Sequence, residues 1–429
     1  MTTQSTERAP HALDTLLPQT RLYIDGAWVE GSGQFNVINP ANGSVVASVS
    51  DASSAHAMRA LDAAVAAQPA WAKVAPRARA TLMHKAHQLM IQREEAFVRI
   101  MTLESGKPLT EARAEYRLSV DFLLWFAEQT AHLHGSFAES SNGGFRVLVT
   151  HQPVGPCLLI TPWNFPLLMI VRKAGAALAA GCTAVIKTAQ ETPLTGALFT
   201  QVLHDAGFGP GVINLLHTTK SSGISAPLLD DKRLRKVSFT GSTRVGSLLM
   251  TQGAKNIVNS SMELGGDGPF VVLDDADIDL AVEQAIICKF RNAGQACVAA
   301  NRIIVDRSVE AEFTRKFVAK VKALTVGDGM GPVDVGPMVS AKQRDGLTAT
   351  LSTLIDAGGE TLTGGRPIDG PGYFFEPTVV RFESRNDVMC SNELFAPIAT
   401  IFAVDGPAEA LELANDTDYG LASYVFTGN

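Results

Sequence analysis

Cys297 closes the run NAGQAC, where Gly294 and Gln295 place it on a tight connection between a helical segment and the strand-like RIIV. Free cysteines are most often buried small hydrophobes, and residue type alone would leave Cys297 among them. Its setting argues otherwise. A thiol in a loop can be approached by a ligand and activated by backbone dipoles, as a thiolate nucleophile requires. Cys288, on an apolar helical face, stays with the inert majority. A second chemical feature is SFTGST at 238–243, followed by Gly246. It sets a strand (KVSF), a glycine turn and a helix opening near Arg244 in the order that offers free backbone N–H groups to an anion such as phosphate. Gly241 and Gly246 stand five apart, so this is neither the GxGxxG fingerprint nor GxxxxGK[ST]. GFGPG at 207–211 follows a helix and reads as the turn that ends it. TPWNFP at 161–166 and ELGG at 263–266 complete the set, each weak taken singly.

Groups so scattered need a large scaffold to meet. At 429 residues, 46% apolar and 18% charged, the chain can build two or three packed domains. A net charge of −7 without any long basic run excludes the electrostatic footprint of nucleic-acid or anionic-membrane binding. No uncharged apolar run approaches membrane-spanning length. The five cysteines (Cys157, Cys182, Cys288, Cys297, Cys390) are scattered, without CxxC or metal-ligand spacing. No metal is therefore expected, and a reducing compartment is. The amino terminus has neither the basic start nor the apolar stretch of a secretory signal, which points to a cytoplasmic protein.

After a loose leader, residues 1–20, LYIDGAWVE reads as a short strand pair turning at Asp25 and Gly26. Helical periodicity runs from Ala55 to Thr130, with breaks expected near Pro69, Pro76 and Gly106–Pro108. RVLVTHQPVGPCLLIT reads as strands interrupted at Pro153. Strand-like runs (CLLIT, TAVIK, GVINLL, KVSFT, PFVVL) then alternate with helical ones, the pattern of a parallel sheet covered by helices, and a second alternating stretch follows. The fold class is α/β. The final YGLASYVFTGN looks like a strand with nothing to pack or pair against.

In this order, KFRNAGQAC, ITPWNFP, AGCTAVIK, SFTGSTRVG, MELGG and NELFAP resemble landmarks of the aldehyde dehydrogenase superfamily across nearly the whole chain, most nearly its succinate-semialdehyde branch. The resemblance implies two parallel-sheet α/β domains: a Rossmann-like cofactor domain over 21–142 and 154–262, and a catalytic domain over 263–429. A bridging, oligomerising hairpin is expected over 143–153. It further implies that Cys297 attacks an aldehyde to form a thiohemiacetal, whose hydride passes to the nicotinamide and leaves a thioester. Glu263 would activate the hydrolytic water, and the Asn164 amide would stabilise the oxyanion. On the same comparison Lys187 holds the adenosine ribose, Gly241 and Ser242 the pyrophosphate, and Glu393 with Phe395 the nicotinamide side. Trp163 and Leu264 line the cofactor path. Many NAD-preferring relatives carry a glutamate where this chain has Gln190, whose neutral amide leaves NAD and NADP both open.

Arg172 and Arg291 match the pair with which the semialdehyde branch grips a distal carboxylate, a task suited to a planar guanidinium fork. Their competing reading is a salt bridge to a neighbouring acid. The resemblance therefore implies a small carboxylated aldehyde as substrate. Three departures stand out. Ala299 replaces a second cysteine common in the branch, Asp267 follows ELGG where lysine or asparagine is usual, and the family continues for several tens of residues beyond Asn429. The last departure leaves the family's homo-oligomer, and the folding and activity of this chain, open. Two other readings remain: a non-catalytic remnant or interaction protein, and a thiol esterase using Cys297 and Glu263 without a redox step.

Overall fold

A computed structural model describes residues 17–383 and 393–429. Residues 1–16 of the expected leader, Cys390 and the first residue of NELFAP lie outside the described residues. The chain opens with β1 (Leu22–Ile24) and β2 (Ala27–Val29), joined through Asp25 and Gly26 at φ 54° and 80°. That double positive φ matches the right-handed strand twist, which is why short polar residues and glycine occupy it. A second hairpin follows, β3 (Gly33–Ile38) with β4 (Val45–Asp51).

Four helices come next: α1 (Ser54–Lys73), α2 (Pro76–Gln92), α3 (Glu94–Ser105) and α4 (Leu109–Gln129). Pro76 takes the first helical position of α2, where its missing N–H has no intrahelical duty, and Gly106 ends α3 in the left-handed conformation (φ 82°). Pro69 does not break α1 as expected. The helix runs one more turn to Lys73, where Trp71 is buried against the Phe208 ring at 5.5 Å. Packing of that indole outweighs the lost backbone bond.

The antiparallel ribbon β5 (Ser136–Glu139) with β6 (Arg146–Val149) begins earlier than the hairpin expected over 143–153. Gly143 and Gly144, at φ 70° and 84°, form the turn between its strands rather than its start. All eight strand residues are exposed.

The first main sheet has the order β11-β10-β7-β8-β9-β1-β2. Its elements are β7 (Cys157–Ile160), α5 (Pro166–Ala179), β8 (Ala184–Lys187), α6 (Pro193–Ala206), β9 (Ile213–Leu216), α7 (Ser221–Asp230), β10 (Lys236–Thr240), α8 (Thr243–Ala254) and β11 (Asn259–Glu263). Strands β7, β8 and β9 are buried along their whole length, as their unbroken apolar runs require of a sheet covered on both faces. The chain steps outward from β7 to β9, then returns to the far side of β7 for β10. Connections leaving β7 and β10 therefore part, and a crevice opens at the carboxyl ends of these two strands.

The second sheet has the order β14-β15-β16-β13-β12-β17. It comprises β12 (Gly268–Val272), α9 (Ile278–Phe290), β13 (Ala300–Asp306), α10 (Arg307–Ala323), α11 (Ala341–Asp356), β14 (Glu360–Thr363), β15 (Thr378–Phe382), β16 (Ile398–Val404), α12 (Gly406–Asn415) and β17 (Tyr424–Phe426). Contrary to the sequence expectation, β17 is both paired and packed. It runs parallel to β12, and Phe426 stacks on Phe270 at 4.7 Å. Each sheet has its own apolar core, centred on residues such as Ile186 and Phe199 in one and Ile303 and Phe402 in the other.

Candidate active site

The crevice between β7 and β10 is where the chemistry gathers. Loops leaving β7 (162–165), β10 (241–242) and β11 (264–265) meet Cys297 and the 393–395 segment around a cavity of about 270 Å³. Trp163, Asn164, Gly241, Ser242, Leu264, Cys297, Glu393 and Phe395 all line it. These residues come from positions up to 232 apart in the chain, and only the two sheets bring them together.

The turn before Cys297 is tightly built. After α9, Asn292, Ala293 and Gly294 take positive φ in succession (53°, 54°, 72°). A side chain on Gly294 would stand 2.0 Å from the Ala396 carbonyl, so only glycine fits there. The glycines of ELGG serve a similar end. A methyl on Gly266 would meet the Cys297 carbonyl at 2.2 Å, and one on Gly265 would meet Glu393 Oε2 at 2.6 Å. Close approach, rather than an unusual backbone angle, explains this pair. Gly266 N–H also donates to Glu393 Oε1 at 3.2 Å.

Burial pushes the Cys297 thiol above its usual range, helped by the nearby Glu393 and Glu263 charges; its own backbone N–H and Arg291 pull the other way. The thiol is thus protonated at rest near neutral pH and needs a base. Asn164 is buried, and its Nδ2 donates to the Gln295 carbonyl at 3.1 Å. An amide carries two N–H donors, so one is left for the cavity that Asn164 lines. Phe395 sits at φ 44°, strained for an aromatic residue, with its ring edge-on to Trp163 at 5.5 Å.

Other expected residues lie farther out. Glu263 is exposed and faces a second cavity of about 450 Å³, which it shares with Arg172 and Lys173. Met169 and Thr240 belong to both walls, so the two cavities adjoin. Arg172 stands over the Phe122 ring at 5.2 Å and Arg291 over Phe165 at 5.3 Å. Both guanidinium groups are exposed, and neither has an acidic partner within salt-bridge reach among the described residues, which removes the ion-pair reading. Asp267 does not face the cleft. Its side chain is fully buried in ionic contact with Arg302 at 2.7 Å, inside the second sheet.

Thr240 and Gly265 lie in the SFTGST and ELGG segments without having been singled out, and Met169 and Gln343 carried no signal in the sequence; all four line the Cys297 cavity, Gln343 arriving from α11, remote from every glycine-rich or polar landmark. The residues present also fit a nicotinamide dinucleotide. Ser242 begins α8 with no side-chain cap, leaving first-turn N–H groups free for a pyrophosphate, and the buried Thr240 hydroxyl is unpartnered. Lys187 ends β8 almost wholly buried. Desolvation lowers its pKa to about 8, and Glu191 only partly offsets this. Gln190 beside it is exposed.

An α/β pair of sheets whose switch point opens a crevice lined by a free thiol, a buried amide and an uncapped helix start has the layout of a dinucleotide-dependent dehydrogenase. The chain belongs to the aldehyde dehydrogenase family, whose model matches residues 28–429. It is 49% identical to a succinate-semialdehyde dehydrogenase of Paenarthrobacter nicotinovorans, over 89% of this chain and 85% of that one. A probable NADP-dependent succinate-semialdehyde dehydrogenase of Sinorhizobium fredii is 42% identical, over 92% and 81%. The crystal structure of an aldehyde dehydrogenase from Brucella melitensis superposes with a TM-score of 0.93 at 41% identity, covering 97% of this chain and 86% of that one. The protein is an enzyme that oxidises aldehydes to acids with NAD or NADP.

Proposed function

We propose that Cys297 is the nucleophile, Asn164 the oxyanion donor and Glu263 the base, acting on a small aldehyde with a distal carboxylate, succinate semialdehyde or a close homologue. The observation that carries this reading is the convergence of Cys297, Asn164 and the Gly241–Ser242 turn on one cavity. Because burial and the charges of Glu393 and Glu263 hold the Cys297 proton in place, attack begins with its transfer to a base, and of these two carboxylates Glu263 takes that part while Glu393 faces the cofactor. The thiolate then bonds to the aldehyde carbon. The free N–H of Asn164 and the Cys297 backbone N–H meet the negative charge that develops on oxygen. Bound NAD or NADP supplies the acceptor for the hydride, held by Gly241, Ser242 and Lys187 at one end and by Glu393 and Phe395 at the other. Once exposed Glu263 has passed the first proton to solvent, it deprotonates water, which attacks the thioester left by hydride loss; the carbon–sulfur bond breaks and the proton moves to sulfur, releasing the acid and the Cys297 thiol.

Specificity follows from the two arginines that form no salt bridge among the described residues. Arg172 lies three residues along α5 from Met169, close to one helical turn, so the two share a face. A chain leading from Cys297 past Met169 reaches a guanidinium without crossing an acidic wall other than Glu263. The two relatives named for succinate semialdehyde support the same class of substrate. Gln190 neither repels a 2′-phosphate nor pairs with it, which suits use of both cofactors.

Two further assignments belong to this reading. The cofactor domain spans 21–142 with 154–262 and the catalytic domain 263–429, and the exposed ribbon bearing Phe137, Phe145 and Leu148 is a surface for self-association. No described helix is long and apolar enough to cross a membrane, and the protein acts in the cytoplasm.

Turnover of succinate semialdehyde and of an uncharged aldehyde, each with NAD and NADP, tests the whole. Cys297→Ser should abolish cofactor reduction. Arg291→Ala and Arg172→Ala should each reduce kcat/KM for the carboxylated substrate by about 10- to 100-fold, with little change for the uncharged one. Equal losses on both substrates would remove the arginines from substrate recognition.

A further inference from the structure

Behind the Cys297 cavity lies a group of charged residues that the proposed chemistry does not use. Lys107, only 1% exposed, follows the left-handed Gly106 that ends α3. Its ammonium donates to Glu115 of α4 and to the Asn164 carbonyl, the latter at 2.6 Å, and stands 4.5 Å from the Phe165 ring centre. Glu115, also buried, accepts from the backbone N–H groups of Leu167 and Leu168 at 2.9 and 3.1 Å. It therefore caps α5 by satisfying two of the N–H groups that every helix start leaves open. One ion pair thus grips the 164–168 segment at both ends.

The Asn164 carbonyl has a second donor, the Asn292 amide at 3.0 Å. Asn292 Nδ2 also donates to the Gln295 carbonyl at 3.2 Å, the same oxygen that receives Asn164 Nδ2. Glu111, one turn before Glu115 on α4, accepts from the Asn292 backbone N–H at 2.7 Å. The oxyanion segment and the turn before Cys297 are therefore locked to each other and to α4. The mount itself is held: a methyl on Gly336 would stand 2.2 Å from the Gly106 carbonyl, and one on Gly329 2.5 Å from that of Lys107.

A buried ammonium is costly to desolvate and gives no net stability that a well-packed apolar side chain would not. Its retention at the back of the proposed oxyanion site calls for a role beyond folding. We infer that Lys107, paired with Glu115, is a positioning residue that sets the Asn164 amide at the distance from Cys297 needed to receive the oxyanion. This inference rests on Asn164 being the oxyanion donor. Lys107 itself does not line the Cys297 cavity and reaches it through Asn164, by a hydrogen bond, and Phe165, by its ring.

The test is a double-mutant cycle on the full chain, with kcat, both KM values and melting temperature measured for Lys107→Met, Asn164→Ala and the combination. Lys107→Met keeps the length of the stem and should lower kcat about 100-fold while both KM values stay within about twofold. In the Asn164→Ala background the same change should lower kcat less than about threefold, because the donor it positions is gone. Equal losses in both backgrounds would overturn the inference, as would native kcat in folded Lys107→Met. Full kcat in Asn164→Ala alone would instead overturn the reading of the site, and this inference with it. Should Lys107→Met not fold, Glu115→Gln decides. It retains an acceptor for the α5 N–H groups and weakens only the grip on Lys107, so a roughly tenfold fall in kcat at unchanged KM supports the inference. Native kcat in Glu115→Gln refutes it.

Discussion

Gly266→Ala isolates how much of the activity depends on the exact seat of Cys297, the proposed nucleophile. The added methyl would stand 2.2 Å from the Cys297 carbonyl oxygen, where real Cβ atoms keep at least 3.0 Å. Both partners are backbone. Either the 264–267 turn or the Cys297 peptide must therefore shift by about 0.8 Å, a displacement that costs on the order of 10²-fold in rate when it moves a reacting group. Overpacking of this kind costs about 1–3 kcal/mol of stability as well. Gly265→Ala is the built-in control. Its methyl would meet Glu393 Oε2 at 2.6 Å, the tip of a side chain that can swing aside, so it should spare kcat and raise the cofactor KM. Absorbance of the reduced nicotinamide gives kcat and KM for each variant, and thermal melting gives the stability cost. If Gly266→Ala kept kcat within about threefold of the native value while Gly265→Ala lost more, the argument from backbone approach would be wrong.

Two further outcomes follow from the charges. Glu393→Gln removes the largest electrostatic contribution that raises the Cys297 pKa, so alkylation of Cys297 by iodoacetamide should speed up near neutral pH; slower labelling would contradict the assignment. Glu104 is wholly buried and accepts from the N–H groups of Leu194 and Thr195, yet burial raises its pKa to about 8. A carboxyl raised above its unfolded value carries full stability below that value and loses it as pH climbs through the folded one. Native stability relative to Glu104→Gln should therefore decline from about pH 4.5 to about pH 8, by roughly 5 kcal/mol for the full shift. A difference in melting temperature that stayed flat across that window would show the carboxyl already ionised in the fold.

The α/β class, the two runs of alternating elements and the turns at Asp25–Gly26 and Gly106 were all legible in the chain, because each depends on contacts a few residues long. So was Cys297 as a loop thiol, and so were the glycine segments that surround it. Their spacing records where backbones must pass closely, as Gly266 and Gly294 show. Pro69 was misjudged because a propensity argument cannot see Trp71 packing on Phe208 from another element. The terminal strand found a partner in β12 for a similar reason: parallel pairing joins segments some 150 residues apart.

Tertiary structure alone decided which way the charges face. Lysines and glutamates are mostly solvated, so nothing marked Lys107, Glu111 or Glu115 as belonging behind the site. Sequence likewise placed Arg172 and Arg291 without showing that each stands on an aromatic ring with no salt-bridged acid among the described residues, or that Glu263 and Arg172 share a cavity adjoining that of Cys297. Local patterning dictates which elements form. Whether a charge ends in water or against a carbonyl depends on the surfaces those elements bring together, and that is settled only when both sheets have closed around the crevice between β7 and β10.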